Sequence, residues 1–186
     1  MQLANFLADY NSKPTVWDEM CLNGDIRQHY QVFFEHFRQS SSEEIGKKDE
    51  LAKKLFMSQG ITFTVYNDGE GIEKIFPFDL IPRIITGSEW DHIEAGIKQR
   101  LKALNIFLQD VYHSQFIIKD GIVPASLINS CPNFVREMVG VDVPFGIYTH
   151  IAGIDLIRDS DGSFYVLEDN LRTPSGVSYM LENRNM

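Results

Sequence analysis

The chain has 186 residues, 44% hydrophobic and 12% aromatic, and its 17 basic against 26 acidic side chains leave a formal charge of −9. A folded chain of this size buries about 70% of its unfolded surface, so the composition predicts one globular domain or a part of a larger one and excludes collagen, coiled coil and intrinsic disorder. The acidic balance, with no basic run longer than Lys47-Lys48 or Lys53-Lys54, argues against nucleic-acid binding and leaves carboxylates for a hard-cation site.

Residues 1–9 lack a basic, apolar leader, and no stretch approaches the roughly 18 apolar residues of a membrane span. Cys21 and Cys131 are far apart; two free thiols in a cytoplasmic protein without membrane contact are expected. His29, His36, His92, His113 and His150 show no zinc-ligand spacing.

In chain order, residues 1–24 read as an extended lead-in and 25–186 as the domain proper. Tyr30, Phe33, Phe34 and Phe37 recur at helical spacing until Ser40-Ser41-Ser42. Ser41 followed by Glu44 is a capping-box signature opening a helix over about 42–59, which Gly60 ends. The alternating, β-branched run Ile61-Thr62-Phe63-Thr64-Val65, the turn residues Asn67-Asp68-Gly69 and the run 72–76 predict two paired strands. A strand-like piece at 83–85 is expected to lead into the longest helix, about 89–113, where Trp90, Ile93, Ile97, Leu101, Leu104, Leu108 and Val111 mostly step by three or four. Pro124 and Pro132 start two short helical pieces, and residues 145–158 and 163–170 flank Asp159-Ser160-Asp161-Gly162 as a hairpin. The order is α+β, with antiparallel strands, a long central helix and a C-terminal β-hairpin.

If Asp159 to Gly162 form the turn, Ile157 faces Phe164, Asp155 faces Val166 and Gly153 faces Glu168. Asp155, Glu168 and Asn170 then project from one face, away from the turn. A one-residue slip would undo this. Two carboxylates and an amide oxygen suit Mg²⁺, which fills its shell with water and substrate phosphates. From spacing alone the commoner use stays open: the polar end of a strand, with Asp155 paired to Arg158 or Arg172. Next, Arg172, Thr173, Ser175 and Gly176 supply donors for an anion such as a phosphoryl group, although Ser175 also suits a helix cap. Asp79 and Arg83 stand in an apolar run, Phe76 to Arg83, and read first as a structural ion pair and second as substrate contacts. No P-loop, dinucleotide fingerprint or nucleophile elbow is present.

Several segments together resemble one family: Gly60-Ile61-Thr62-Phe63-Thr64-Val65-Tyr66; Pro77-Phe78-Asp79-Leu80-Ile81-Pro82-Arg83; Glu89-Trp90 with Gln99-Arg100-Leu101-Lys102-Ala103-Leu104-Asn105; Gly153-Ile154-Asp155; and Glu168-Asp169-Asn170-Leu171-Arg172-Thr173-Pro174-Ser175-Gly176. They look like the circularly permuted ATP-grasp family, related in fold to glutathionylspermidine synthase. The resemblance implies an ATP-dependent carboxylate–amine ligase that forms an acylphosphate. It also implies ATP and Mg²⁺ as cofactors, metal ligands Asp155, Glu168 and Asn170, and phosphate contacts from Arg172 and Ser175, with Arg172 catalytic. A nucleotide and a small carboxylate, amine or peptide would be its partners, with Asp79 and Arg83 the candidates for substrate contact.

Two departures qualify the match. The synthetase pattern has an arginine two residues before the aspartate, where this chain has Gly153, so Arg172 is a candidate substitute. Family members continue past the Glu-Asn-Arg motif, here Glu182-Asn183-Arg184, so an incomplete domain is expected. Catalysis by the isolated chain is then in doubt, and self-association or a partner supplying the missing subdomain is anticipated. The alternative is a non-catalytic binding module.

Overall fold

A computed structural model of the chain describes residue 10 and residues 15–67, 70–75 and 77–185. Most of the expected lead-in, the turn residues Asp68 and Gly69, and Phe76 lie outside the described residues. The elements are β1 (Cys21–Leu22), β2 (Asp25–Ile26), α1 (Gln31–Phe37), α2 (Ser42–Ser58), β3 (Thr62–Asn67), β4 (Glu70–Ile75), α3 (Gly87–Tyr112), α4 (Phe116–Lys119), α5 (Ala125–Asn129), β5 (Gly153–Arg158), β6 (Phe164–Asn170) and α6 (Gly176–Asn185). Among the described residues the strands form three two-stranded sheets, β1–β2, β3–β4 and β5–β6. β3 and β4 are antiparallel, with Thr62 opposite Ile75 and Asn67 opposite Glu70. Helices mixed with hairpins, without a strand–helix–strand crossover among the described residues, fit the α+β class.

The chain divides into two compact units. The first comprises Met1–Thr86, Leu156–Tyr165 and Ser175–Met186, and the second Gly87–Asp155 and Val166–Pro174.

In the first unit the core gathers around Tyr30 and Phe56, the largest fully buried side chains among the described residues. Phe56 packs at 5.3 Å between ring centroids on Phe78, and Tyr30 meets Phe33 edge-on at 6.3 Å. α2 begins with both arms of the predicted capping box: the Glu44 amide donates to Ser41 Oγ at 3.2 Å, and the Ser41 amide donates to Glu44 Oε2 at 2.7 Å. The strand expected at 83–85 does not form. Pro82 has no N–H to give a ladder; its carbonyl accepts from the Tyr30 hydroxyl at 3.0 Å, and that hydroxyl accepts from the Ile84 amide at 2.9 Å. A buried side chain has replaced a neighbouring strand. The small hairpin β1–β2, turning through Asn23 and Gly24 at φ +53° and +88°, straddles residue 24, where the lead-in was expected to end.

The second unit is built on α3, whose 26 residues span about 39 Å. Ile93, Val111 and Tyr112 are its buried positions. Tyr112 stacks on Phe134 at 5.2 Å and on Tyr148 at 5.6 Å. Asp110 accepts the amides of Phe116 and Ile117, both at 2.9 Å. That carboxylate satisfies two of the free donors at the start of α4, a short helix the apolar pattern does not announce. Pro124 precedes α5, as expected, while the piece after Pro132 is a single 3-10 turn, Arg136–Met138.

Candidate functional site

The β5–β6 turn closes differently from the simple count. The Gly162 amide donates to the Asp159 carbonyl at 2.9 Å, and the Asp159 amide donates to the Ser163 carbonyl at 3.0 Å. These two bonds, with Gly162 at φ +84°, make a type I turn followed by a glycine bulge. Asp159 therefore stands opposite Ser163, one residue beyond the expected register, and the Arg158 guanidinium lies 4.5 Å from the Phe164 ring centroid.

The open end supplies a second fixed point. A Cβ on Gly153 would lie 3.7 Å from the Asn170 Cβ and 2.9 Å from the Pro174 Cβ. Gly153 and Asn170 are thus neighbours on one side of the hairpin, and not Gly153 and Glu168 as expected. Counting back from Asp159 and Ser163 would bring Asp169 to Gly153, so the count from the turn does not hold along the whole hairpin. By strand alternation Asp155 falls on the side of Gly153, and Glu168 on the side of Asn170. With the Pro174 Cβ 2.9 Å from an added Cβ, any side chain at position 153 would have to displace that proline.

Asp155 and Glu168 are exposed and Asn170 half-buried. Neither carboxylate takes part in an ion pair or hydrogen bond among the described residues. The arginines considered as partners for Asp155 are engaged elsewhere: Arg158 with Glu19 at 3.0 Å and with the Gly162 carbonyl at 2.9 Å, and Arg172 with Asn133 Oδ1 at 3.0 Å. Asp169, between Glu168 and Asn170, receives a two-pronged bond from Arg100 of α3, at 2.7 and 2.6 Å. That guanidinium holds the Asp169 carboxyl below its ordinary range. No group of three His, Cys, Asp or Glu side chains is gathered among the described residues.

The other predicted residues separate. Ser175 immediately precedes α6, and its carbonyl accepts from the Ser178 amide at 3.1 Å. Asp79 and Arg83 do not pair: Asp79 accepts from the Ile81 amide at 2.9 Å, while Arg83 Nε lies 3.3 Å from Glu19. Both nevertheless line one cavity of about 450 Å³, together with Asp18, Glu19 and Tyr30. Arg100 and Asn105 were quoted in the family motif without a role. A cue was available: an aspartate between two same-face residues must point the other way and needs a partner there.

Comparison with known proteins follows the same residues. Residues 82–186, more than half the chain, match the family model described as a circularly permuted ATPgrasp. An uncharacterized Synechocystis protein is 51% identical across 88% of this chain and 34% of its own length. A Mycobacterium leprae protein, likewise uncharacterized, is 47% identical across 90% of this chain and 29% of its own. A Frankia casuarinae protein provisionally named glutamate–cysteine ligase 2-2 is 35% identical across 94% of this chain and 20% of its own. The chain thus spans from a fifth to about a third of the length of these relatives. On the match over residues 82–186, the chain belongs to the circularly permuted ATP-grasp family.

Proposed function

We propose that the chain carries the cation- and phosphate-binding residues of an ATP-dependent carboxylate–amine ligase. The observation that carries this reading is that Asp155 and Glu168 are exposed and make no ion pair or hydrogen bond among the described residues, while the arginines nearest in sequence are tied to other groups. Carboxylates left open in this way would make, with the amide oxygen of Asn170, an all-oxygen donor set that suits Mg²⁺ and not zinc or copper. The provisional ligase name of the Frankia relatives supports the reaction class.

In this reading Asp155, Glu168 and Asn170 hold the metal. Bound Mg²⁺ would supply charge neutralisation to the nucleotide phosphates. Arg172, two residues after Asn170, carries the positive charge that steadies the transferring phosphoryl group, and its Nη1 donates to Asn133 Oδ1. Ser175 offers a hydroxyl to phosphate ahead of α6. Asp79 and Arg83 serve the substrate: the Arg83 guanidinium, whose Nε lies 3.3 Å from Glu19, suits a carboxylate, and the Asp79 carboxylate suits an amine. The net reaction joins carboxylate to amine as ATP becomes ADP and phosphate, through an acylphosphate.

Isothermal titration of MgATP into the chain tests the reading. Mg-dependent nucleotide binding is expected, weakened at least about tenfold in Asp155→Ala/Glu168→Ala, as loss of metal contacts to a phosphate ligand predicts. Binding that ignores Mg²⁺, or a double variant that binds as the wild type does, overturns it and favours a non-catalytic module.

A further inference from the structure

α3 makes two separate polar contacts here, Arg100 with β6 and Asn105 with the segment that precedes β5. Arg100 donates through Nε and Nη2 to the two carboxylate oxygens of Asp169 at 2.7 and 2.6 Å. Asn105, five residues on and more than one turn away, accepts the amides of Tyr148 and Thr149 at 2.7 and 3.1 Å and donates to Thr149 Oγ1 and the Leu101 carbonyl, both at 3.0 Å. Both donors and both lone pairs of its amide are used. Residues 148–149 lie five and four residues before Gly153, the start of β5, which carries Asp155, and Asp169 is flanked by Glu168 and Asn170 on β6. One helix therefore fixes the approach to one strand and the rotation of the other.

The energetics point to geometry and not to stability. The Arg100 side chain is 45% exposed and that of Asp169 20%, and an ion pair so open to solvent adds little to folding. A two-pronged guanidinium–carboxylate bond is, however, directional. Because successive strand residues alternate sides, pinning Asp169 toward α3 turns Glu168 and Asn170 away from it.

We propose that Arg100 is a positioning residue: through Asp169 it holds Glu168 and Asn170 in the orientation that binds a divalent cation, with Asn105 fixing the lead into Asp155. The proposal rests on the metal reading of Asp155, Glu168 and Asn170, and it assigns an outer layer to that site. Outer partners of this kind change metal affinity by about 10- to 100-fold when removed.

Mn²⁺ alone is the probe, its free fraction read by electron paramagnetic resonance with purified full chain. Arg100→Ala and Asp169→Asn are each expected to weaken Mn²⁺ binding about tenfold, and the double variant by no more than either single, because the two act as one unit. Lys98→Ala, which loses only an exposed pair with Glu94 on the same helix, is expected to bind as wild type does. Wild-type affinity in Arg100→Ala, or losses that multiply in the double variant, overturns the proposal. If Arg100→Ala fails to fold, Arg100→Lys keeps the charge without the fork, and undiminished Mn²⁺ binding by it is equally fatal. Amide exchange at residues 168–170 in metal-free protein separates the two layers of argument. If the wild type binds no Mn²⁺, the metal reading fails. The positioning of β6 then stands if exchange there quickens about tenfold in Arg100→Ala, and falls if exchange is unchanged.

Discussion

Trp17 lies between two guanidinium groups, Arg27 at 4.0 Å and Arg158 at 4.5 Å from its ring. Arg158 is almost wholly covered, its side chain 8% exposed, and is balanced by Glu19, as a buried charge must be. The edge of the indole rests on Gly162, where an added Cβ would lie 2.5 Å from a ring carbon. Gly162 also sits at φ +84°, which L side chains rarely adopt. Gly162→Ala meets both penalties together, and a loss of about 2 kcal/mol is expected from incompatible backbone geometry and the forced shift of the ring. Urea unfolding measures it, with Ser160→Ala in the same turn as the near-neutral comparison. A midpoint for Gly162→Ala matching that of Ser160→Ala would show that the indole does not constrain the turn.

At the scale of elements, α2 is the piece whose start is most sharply determined. The Ser41 backbone amide and hydroxyl, both bonded to the Glu44 carboxylate, hold the Glu44 carboxyl below its ordinary value of 4.5. A group whose folded pKa is lowered contributes stability that is present above the unfolded value and lost as pH falls through the folded one. Amide protection in the first turn of α2 is therefore expected to hold above the ordinary value of 4.5 and to decline below it. Ser41→Ala should cost about 1 kcal/mol of helix stability and shrink the acid step, since only the backbone arm of the box survives. Exchange measured from pH 6 to 3 checks this, and an acid step of undiminished size in Ser41→Ala would contradict it. The box was legible because Ser-x-x-Glu acts within one turn. α3 was legible for a related reason, a stripe repeated over many turns. What depends on distant residues was not. The hairpin was expected, but its register is set by a bulge at Gly162 that packs against Trp17. The strand at 83–85 yields to the hydroxyl of Tyr30. Asp79 and Arg83, four apart, would meet on a helix; their segment is not helical, so Arg83 turns to Glu19. Asn23-Gly24, a strong hairpin dipeptide, escaped because its strands have only two residues each, too few to alternate. Around the proposed site, residue types suggested the oxygen donors, whereas the bond from Arg100 to Asp169, which stands between two of them, spans 69 positions.

Over the whole molecule, the formal charge of −9 acts on any ligand before a single contact forms. MgATP carries about two negative charges, so the summed field opposes its approach while drawing in a free divalent cation. Salt shortens the reach of both effects, to about 10 Å at 0.1 M. The two ligands should then respond with opposite sign. Raising NaCl from about 20 to 200 mM is expected to quicken MgATP association about two- to threefold and to weaken Mn²⁺ affinity by a similar factor. Stopped-flow nucleotide binding and Mn²⁺ titration at matched salt provide the measurement. An association rate for MgATP that falls with salt would mean that a local basic field, with Arg172 as its first candidate, outweighs the excess of acids. Arg172→Gln would then reverse the slope, whereas under the whole-chain field it leaves the sign of the slope unchanged.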